Sequence, residues 1–187
     1  MGLIEWGATI CALVYLYYAI KNKSICFIYG MIGSALWAVA SYSAHLFFDT
    51  GLQVFYIGMS AYGIYNWNKG SQNEKELPIS TYSLYVHVRI VLVGLSVSGF
   101  LIYLSQNSSI IQLPILDAIT TVFLVIGTIL LVQRKLFSWL YLVAADVVYL
   151  YIYGQSGLWL FVGVMVIYIV FGIVGYRAWN KAMLSTD

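Results

Sequence analysis

The chain has 187 residues, of which 62% are hydrophobic and 9% charged, with nine Lys and Arg against seven Asp and Glu. A soluble domain carries about 25% charged residues, and a surface so poor in charge would not stay dissolved. The composition excludes an ordinary soluble enzyme, gives no reason to expect a nucleic-acid partner, and points to an all-α integral membrane protein.

The apolar residues arrive in long blocks separated by short polar breaks, as membrane-spanning helices require. The first predicted helix covers residues 3–20, the second 25–46 and the third 50–67. Residues 68–80, with Lys69, Glu74, Lys75 and Glu76, read as a loop. A fourth helix follows over 85–105, then three more over 113–132, 136–153 and 158–179. Each is about 18 residues or longer, enough at about 1.5 Å per residue to cross a hydrocarbon core. Residues 1–68 thus form a first three-helix bundle, 69–112 a loop and linker helix, and 113–187 a second bundle. The first apolar run is followed by Lys21 with no cation before it, so it reads as a span and not as a cleavable leader. Cys11 and Cys26 sit in or beside apolar segments without Cys/His ligand spacing. Neither a metal nor another cofactor is expected.

The basic residues orient the helices. Lys21 and Lys23 follow the first; Lys69, Lys75 and Arg89 lie between the third and fourth. Arg134 and Lys135 separate the fifth and sixth, and Arg177 and Lys181 end the seventh. With seven spans every cation falls on one side, whereas an even number would scatter them over both. The positive-inside rule makes that side cytoplasmic, with the N-terminus outside and the C-terminus inside.

Sliding the chain on itself exposes a duplication. An offset of 112 residues carries Tyr56 onto Tyr168, Gly63 onto Gly175, Trp67 onto Trp179, Asn68 onto Asn180 and Lys69 onto Lys181. The same offset aligns Glu5 with Asp117, Lys23 with Lys135, Tyr29 with Tyr141 and Gly51 with Gly163. Helices one to three then match five to seven, and the fourth returns the chain so that both halves insert in one direction. Such parallel 3+1+3 repeats, a SWEET-like arrangement, are a recurrent transporter design, with a substrate site expected between the halves.

At this point the motifs are familiar. The segment Gln53-Val54-Phe55-Tyr56, followed by Tyr62-Gly63 and Trp67, resembles the end of the first bundle in the Pnu family of bacterial vitamin transporters. Leu116-Asp117-Ala118-Ile119-Thr120-Thr121 resembles the opening of that family's second bundle, and Ser138-Trp139, Asp146-Val147, Gly175 and Trp179 continue the pattern. The resemblance covers essentially the whole chain. It implies uptake of nicotinamide riboside, thiamine or riboflavin across the inner membrane, trapping by a cytoplasmic kinase that phosphorylates the product, and a homotrimer. One departure stands out. Nicotinamide riboside transporters of the family carry a W-x-x-W pair on helix six, where this chain has Trp139-Leu140-Tyr141-Leu142. The loss moves the expected substrate toward thiamine, with nicotinamide riboside as the alternative.

Asp146 lies in mid-helix, where a carboxylate costs about 2.5–3.5 kcal/mol and usually faces a polar cavity. Its functional reading is a countercharge for a cationic vitamin; its plain reading is an acid bonded to a neighbouring helix. Tyr149 and Tyr153 follow it at i+3 and i+7 on one stripe, and Trp139 shares the helix. Such rings suit a flat cation, each contact contributing about 0.5–2 kcal/mol. From the first half come Gln53 and Tyr56 as polar contacts and Trp37, which the offset places against Tyr149. Asp117 and Thr121 could shape the outer mouth, or Asp117 could simply stabilise its helix N-terminus. Trp6, Trp67 and Trp179 read as an interfacial belt, and His45 and His87 as solvated residues at helix ends. A gradient-driven facilitator is the expected function. A proton-coupled symporter using Asp146 is a second class. A membrane enzyme is disfavoured because the spans lack a paired-carboxylate, His-cluster or nucleophile–base constellation.

Overall fold

A computed structural model of the chain describes residues 3–43, 47–69, 78–105, 114–155, 157 and 159–185. Among them run seven helices: α1 (Leu3–Ile20), α2 (Cys26–Ser43), α3 (Phe47–Lys69), α4 (Leu84–Ser105), α5 (Pro114–Val132), α6 (Ser138–Gln155) and α7 (Trp159–Leu184). All seven predicted helices are present. The largest shift is at the end of α7, which runs on to Leu184 rather than stopping near 179. Four of them (α2, α4, α5 and α7) are long and apolar enough to cross a membrane on those two properties alone. The apolar stretch of α1 is shorter, Trp6–Ile20. α3 is diluted by Gln53, Asn66 and Asn68, and α6 by Asp146.

The chain divides into two compact units, one built on α1–α3 and the other on residues 79–180. In the first, α2 packs between α1 and α3; in the second, α5 packs against both α4 and α6.

The turn joining α1 to α2 places Asn22 in a left-handed conformation (φ 56°), and the turn joining α5 to α6 does the same with Arg134 (φ 53°). Asn22 N–H donates to Ala19 O and Lys23 N–H to Tyr18 O, both at 3.0 Å. Arg134 N–H donates to Leu131 O and Lys135 N–H to Leu130 O, both at 2.9 Å. This paired closure satisfies carbonyls that a helix C-terminus leaves open. Asn tolerates that conformation, whereas a residue such as Arg adopts it at a cost of about 1–2 kcal/mol. Arg134 is moreover 2% exposed, so the cation expected in a loop is enclosed.

Each unit is pinned by a ring seated on a glycine. Phe27 of α2 lies directly over Gly63 of α3, where a Cβ would strike its ring, and meets Trp67 edge-on at 4.8 Å and 81°. Trp139 of α6 lies over Gly175 of α7, with its indole 2.7 Å from where a Cβ would stand, and meets Trp179 at 5.5 Å and 89°. All four rings are at most 2% exposed. Trp67 and Trp179 are therefore core residues and not the interfacial belt the sequence suggested; Trp6, half exposed, fits that belt. Nearby, large and small residues are exchanged. A Cβ on Gly30 would lie 3.0 Å from the ring of Tyr15, and one on Gly127 would lie 2.8 Å from Leu142.

Ahead of α4, Ser80 is strapped to the α5–α6 turn. Its N–H donates to Arg134 O at 3.1 Å and its carbonyl accepts from Leu136 N–H at 2.9 Å. Lys135 Nζ donates to Ser80 Oγ at 2.9 Å and lies 4.2 Å from the centre of the Tyr82 ring. His87, read as solvated, is instead half-buried one turn into α4, with Nδ1 3.2 Å from the Tyr141 hydroxyl. His45 lies outside the described residues.

Gly175→Ala should overpack Trp139 and cost about 1–3 kcal/mol, read as a lower melting temperature in detergent. Gly163→Ala, where a Cβ meets nothing within 4 Å, should leave melting unchanged or raise it slightly, since Ala favours the helix.

Candidate functional site

Asp146 occupies the middle of α6 and is buried, 8% exposed. Among the described residues no cation stands against it. Its electrostatic neighbour is Tyr168 of α7, whose phenol also interacts with Tyr153. Tyr149 and Tyr153 lie on the stripe expected from their spacing and stack at 5.5 Å and 14°. Tyr153 reaches Phe161 of α7 at 5.3 Å and 35°. The second unit thus assembles one carboxylate, three phenols and a run of ring faces from two helices. Chemically such a set suits a flat, positively charged ring, for which an acid can supply countercharge, rings can supply stacking and cation–π attraction, and hydroxyls can supply hydrogen bonds.

Tyr149 and Tyr153 meet on the expected stripe, and the structure adds Tyr168, which interacts with both Asp146 and Tyr153, and Phe161 against Tyr153. The signal for Tyr168 was present in the sequence, since the 112-residue offset carries Tyr56, already a candidate, onto it. Phe161 gave none.

Trp139 is drawn into the core instead. With no exposed surface and its indole against Gly175 and Trp179, it presents no face to a ligand. Leu142, which stands where the second tryptophan of the W-x-x-W pair would be, packs on Gly127 between α6 and α5.

The other candidates are distributed as follows. Trp37 is half-buried on α2, Gln53 is buried on α3, and Tyr56 is half-buried beside Phe55 at 5.6 Å. Tyr56 also interacts electrostatically with Tyr15 of α1, which sequence reading passed over. Gln53 and Tyr56 are both engaged with neighbours. Asp117 sits half-buried in the first turn of α5, where a carboxylate complements the helix dipole. Thr121 is half-buried one turn on, and Thr120 spends its hydroxyl on Leu116 O of its own helix at 2.6 Å. No described contact joins Asp117 or Thr121 to Asp146.

Seven helices among the described residues, four of them long and apolar enough for a bilayer, and a buried acid beside Tyr168 point to a membrane protein that handles a polar solute. Comparison with known proteins makes the class specific. The family described as "Nicotinamide mononucleotide transporter" matches residues 2–181, and the chain belongs to it. Relatives include the nicotinamide riboside transporter PnuC of Escherichia coli (strain K12), 24% identical over 204 residues, spanning 96% of this chain and 85% of the relative. The protein of the same name from Neisseria mucosa is 23% identical over 193 residues, spanning 95% and 73%. Among solved structures, the vitamin B3 transporter PnuC superimposes with a TM-score of 0.79 at 18% identity, covering 98% of this chain and 83% of that one. The resemblance read from the motifs therefore holds. The chain is a multi-pass protein of the bacterial inner membrane and a transporter, not an enzyme.

If Trp139 is a core residue, Trp139→Ala should cost about 3–5 kcal/mol of stability. Tyr149→Ala, at a half-buried position, should lower the melting temperature far less in the same detergent assay.

Proposed function

We propose that this protein is a facilitator for nicotinamide riboside, binding its pyridinium ring at Asp146 among Tyr149, Tyr153 and Tyr168. The observation that carries the reading is a buried carboxylate with no cationic partner among the described residues and with the phenol of Tyr168 beside it, next to the stacked Tyr149 and Tyr153. That arrangement favours the riboside over the mononucleotide: a phosphate needs Lys or Arg donors, and an acid in its place would repel it. Thiamine, the expectation from the broken tryptophan pair, loses its basis on two counts. The curated relatives are named for nicotinamide riboside, and both positions of the pair are used for helix packing here.

The proposal includes seven spans arranged as two parallel three-helix repeats joined by α4, with the N-terminus outside. Support comes from the matched turns at Asn22 and Arg134 and the matched ring-on-glycine contacts, each displaced by the same 112 residues. The cations at Lys21, Lys23, Arg134 and Lys135, at the ends of matching helices, support a cytoplasmic assignment for those turns. Uptake then runs down the substrate gradient and is sustained by a cytoplasmic kinase, with a homotrimer as the expected assembly.

Calorimetry on the detergent-purified protein tests this. Nicotinamide riboside should bind, thiamine and riboflavin should not, and Asp146→Asn should weaken binding about five- to thirtyfold, the 1–2 kcal/mol expected of a lost charge contact. Unchanged affinity in Asp146→Asn would remove Asp146 from the site. In vesicles, uptake should be indifferent to an imposed pH gradient; dependence on one would move the protein to the proton-coupled class.

A further inference from the structure

Outside the tyrosine cluster the second unit has a cavity of about 410 Å³ among α4, α5 and α6. It is lined by Tyr82, His87, Phe123, Phe137, Tyr141 and Ala144 with two leucines. Its wall is aromatic and continuous: His87 lies 4.7 Å from Phe137 and 5.9 Å from Tyr141, which in turn stacks on Phe123 at 6.1 Å. Leu84 and Leu140, 79% and 41% exposed, open it onto the outer surface of the unit. Elsewhere α4 carries Leu92, Val93, Phe100 and Leu104, exposed apolar residues suited to lipid. A charge stands at one end. Lys135 Nζ is held over the ring of Tyr82, a residue of the wall, by its bond to Ser80. An ammonium has three donors, so Ser80 leaves others for a ligand.

We infer that this groove is a binding site for an anionic phospholipid, with an acyl chain along the aromatic wall and the headgroup phosphate on Lys135. An apolar lining excludes the polar vitamin, and a cation at its end selects an anionic over a zwitterionic headgroup. The inference rests on the orientation proposed above, which puts this end in the cytoplasmic leaflet, where anionic lipids attract basic residues at the surface. A lipid seated across α4, α5 and α6 would brace α4 against the bundle it adjoins.

The test is native mass spectrometry of the full-length, delipidated protein, titrated with phosphatidylglycerol or phosphatidylcholine of identical chains. The wild type should bind phosphatidylglycerol roughly fivefold more tightly, the effect of one lysine near a membrane surface. Lys135→Gln should abolish that preference while chain binding persists, and Ala144→Trp should plug the groove and reduce binding of both lipids. Nicotinamide riboside calorimetry on the same preparations should be unchanged in both variants; its absence with the lipid results intact would sink the transport reading alone. Equal binding of the two lipids by the wild type, or full lipid binding by Ala144→Trp, overturns the inference. So does dissociation of an oligomer by Ala144→Trp at unchanged lipid binding, which would make the groove a contact between copies. Should Ala144→Trp fail to fold, Lys135→Gln decides.

Discussion

In a bilayer the hydrophobic effect does not hold helices together, because lipid tails are as apolar as the side chains they replace. Association depends on close van der Waals contact, and close contact needs a small residue facing a large one. Phe27 on Gly63 and Trp139 on Gly175 meet that need by laying a flat ring where the facing helix carries no Cβ. The second ring of each pair, Trp67 or Trp179, closes the contact edge-on from one turn beyond the glycine. Once α6 and α7 are locked in this way, Asp146 and Tyr168 are brought within electrostatic range, and Tyr153 meets Phe161.

The same constraint explains a substitution that misleads when read alone. Tyr15 and Gly30 face each other in the first unit, and their counterparts 112 residues later are Gly127 and Leu142. In both units one member is bulky and the other is glycine, but the roles are exchanged. Leu142 is thus half of a large–small packing pair between α5 and α6. Its neighbour in the motif, Trp139, belongs to the contact between α6 and α7. A tryptophan pair read as a ring-binding device is, in this chain, one buried wedge and one packing leucine, so its incompleteness carries no information about the vitamin.

Polar residues are placed with similar economy. Thr120, Thr128, Ser96 and Ser98 return their hydroxyls to carbonyls one turn back in their own helices, which settles them without a neighbour. Asp146 has no such local solution, since a carboxylate cannot donate to its own helix when ionised. It is this failure to be satisfied locally that marks Asp146 as the candidate among them.

Helix number and limits, the unidirectional charge pattern and the 112-residue offset were legible in the sequence, because apolar length, charge and internal similarity are properties of the chain in one dimension. The stripe of Asp146, Tyr149 and Tyr153 on one helix was legible too, since a rare acid in an apolar run and its i+3 and i+7 neighbours need nothing beyond helical periodicity. What a tryptophan does was not. Trp67, Trp139 and Trp179 are chemically suited to an interface, a ligand or a core; Gly175 on the facing helix draws Trp139 inward, and edge-on contacts with Phe27 and Trp139 enclose Trp67 and Trp179. The left-handed, enclosed Arg134 and the aromatic setting of His87 were equally hidden, both arising where the Ser80 segment meets the α5–α6 turn. Sequence settles which side chains a helix carries; contact between helices decides which of them meet a ligand and which fill the core.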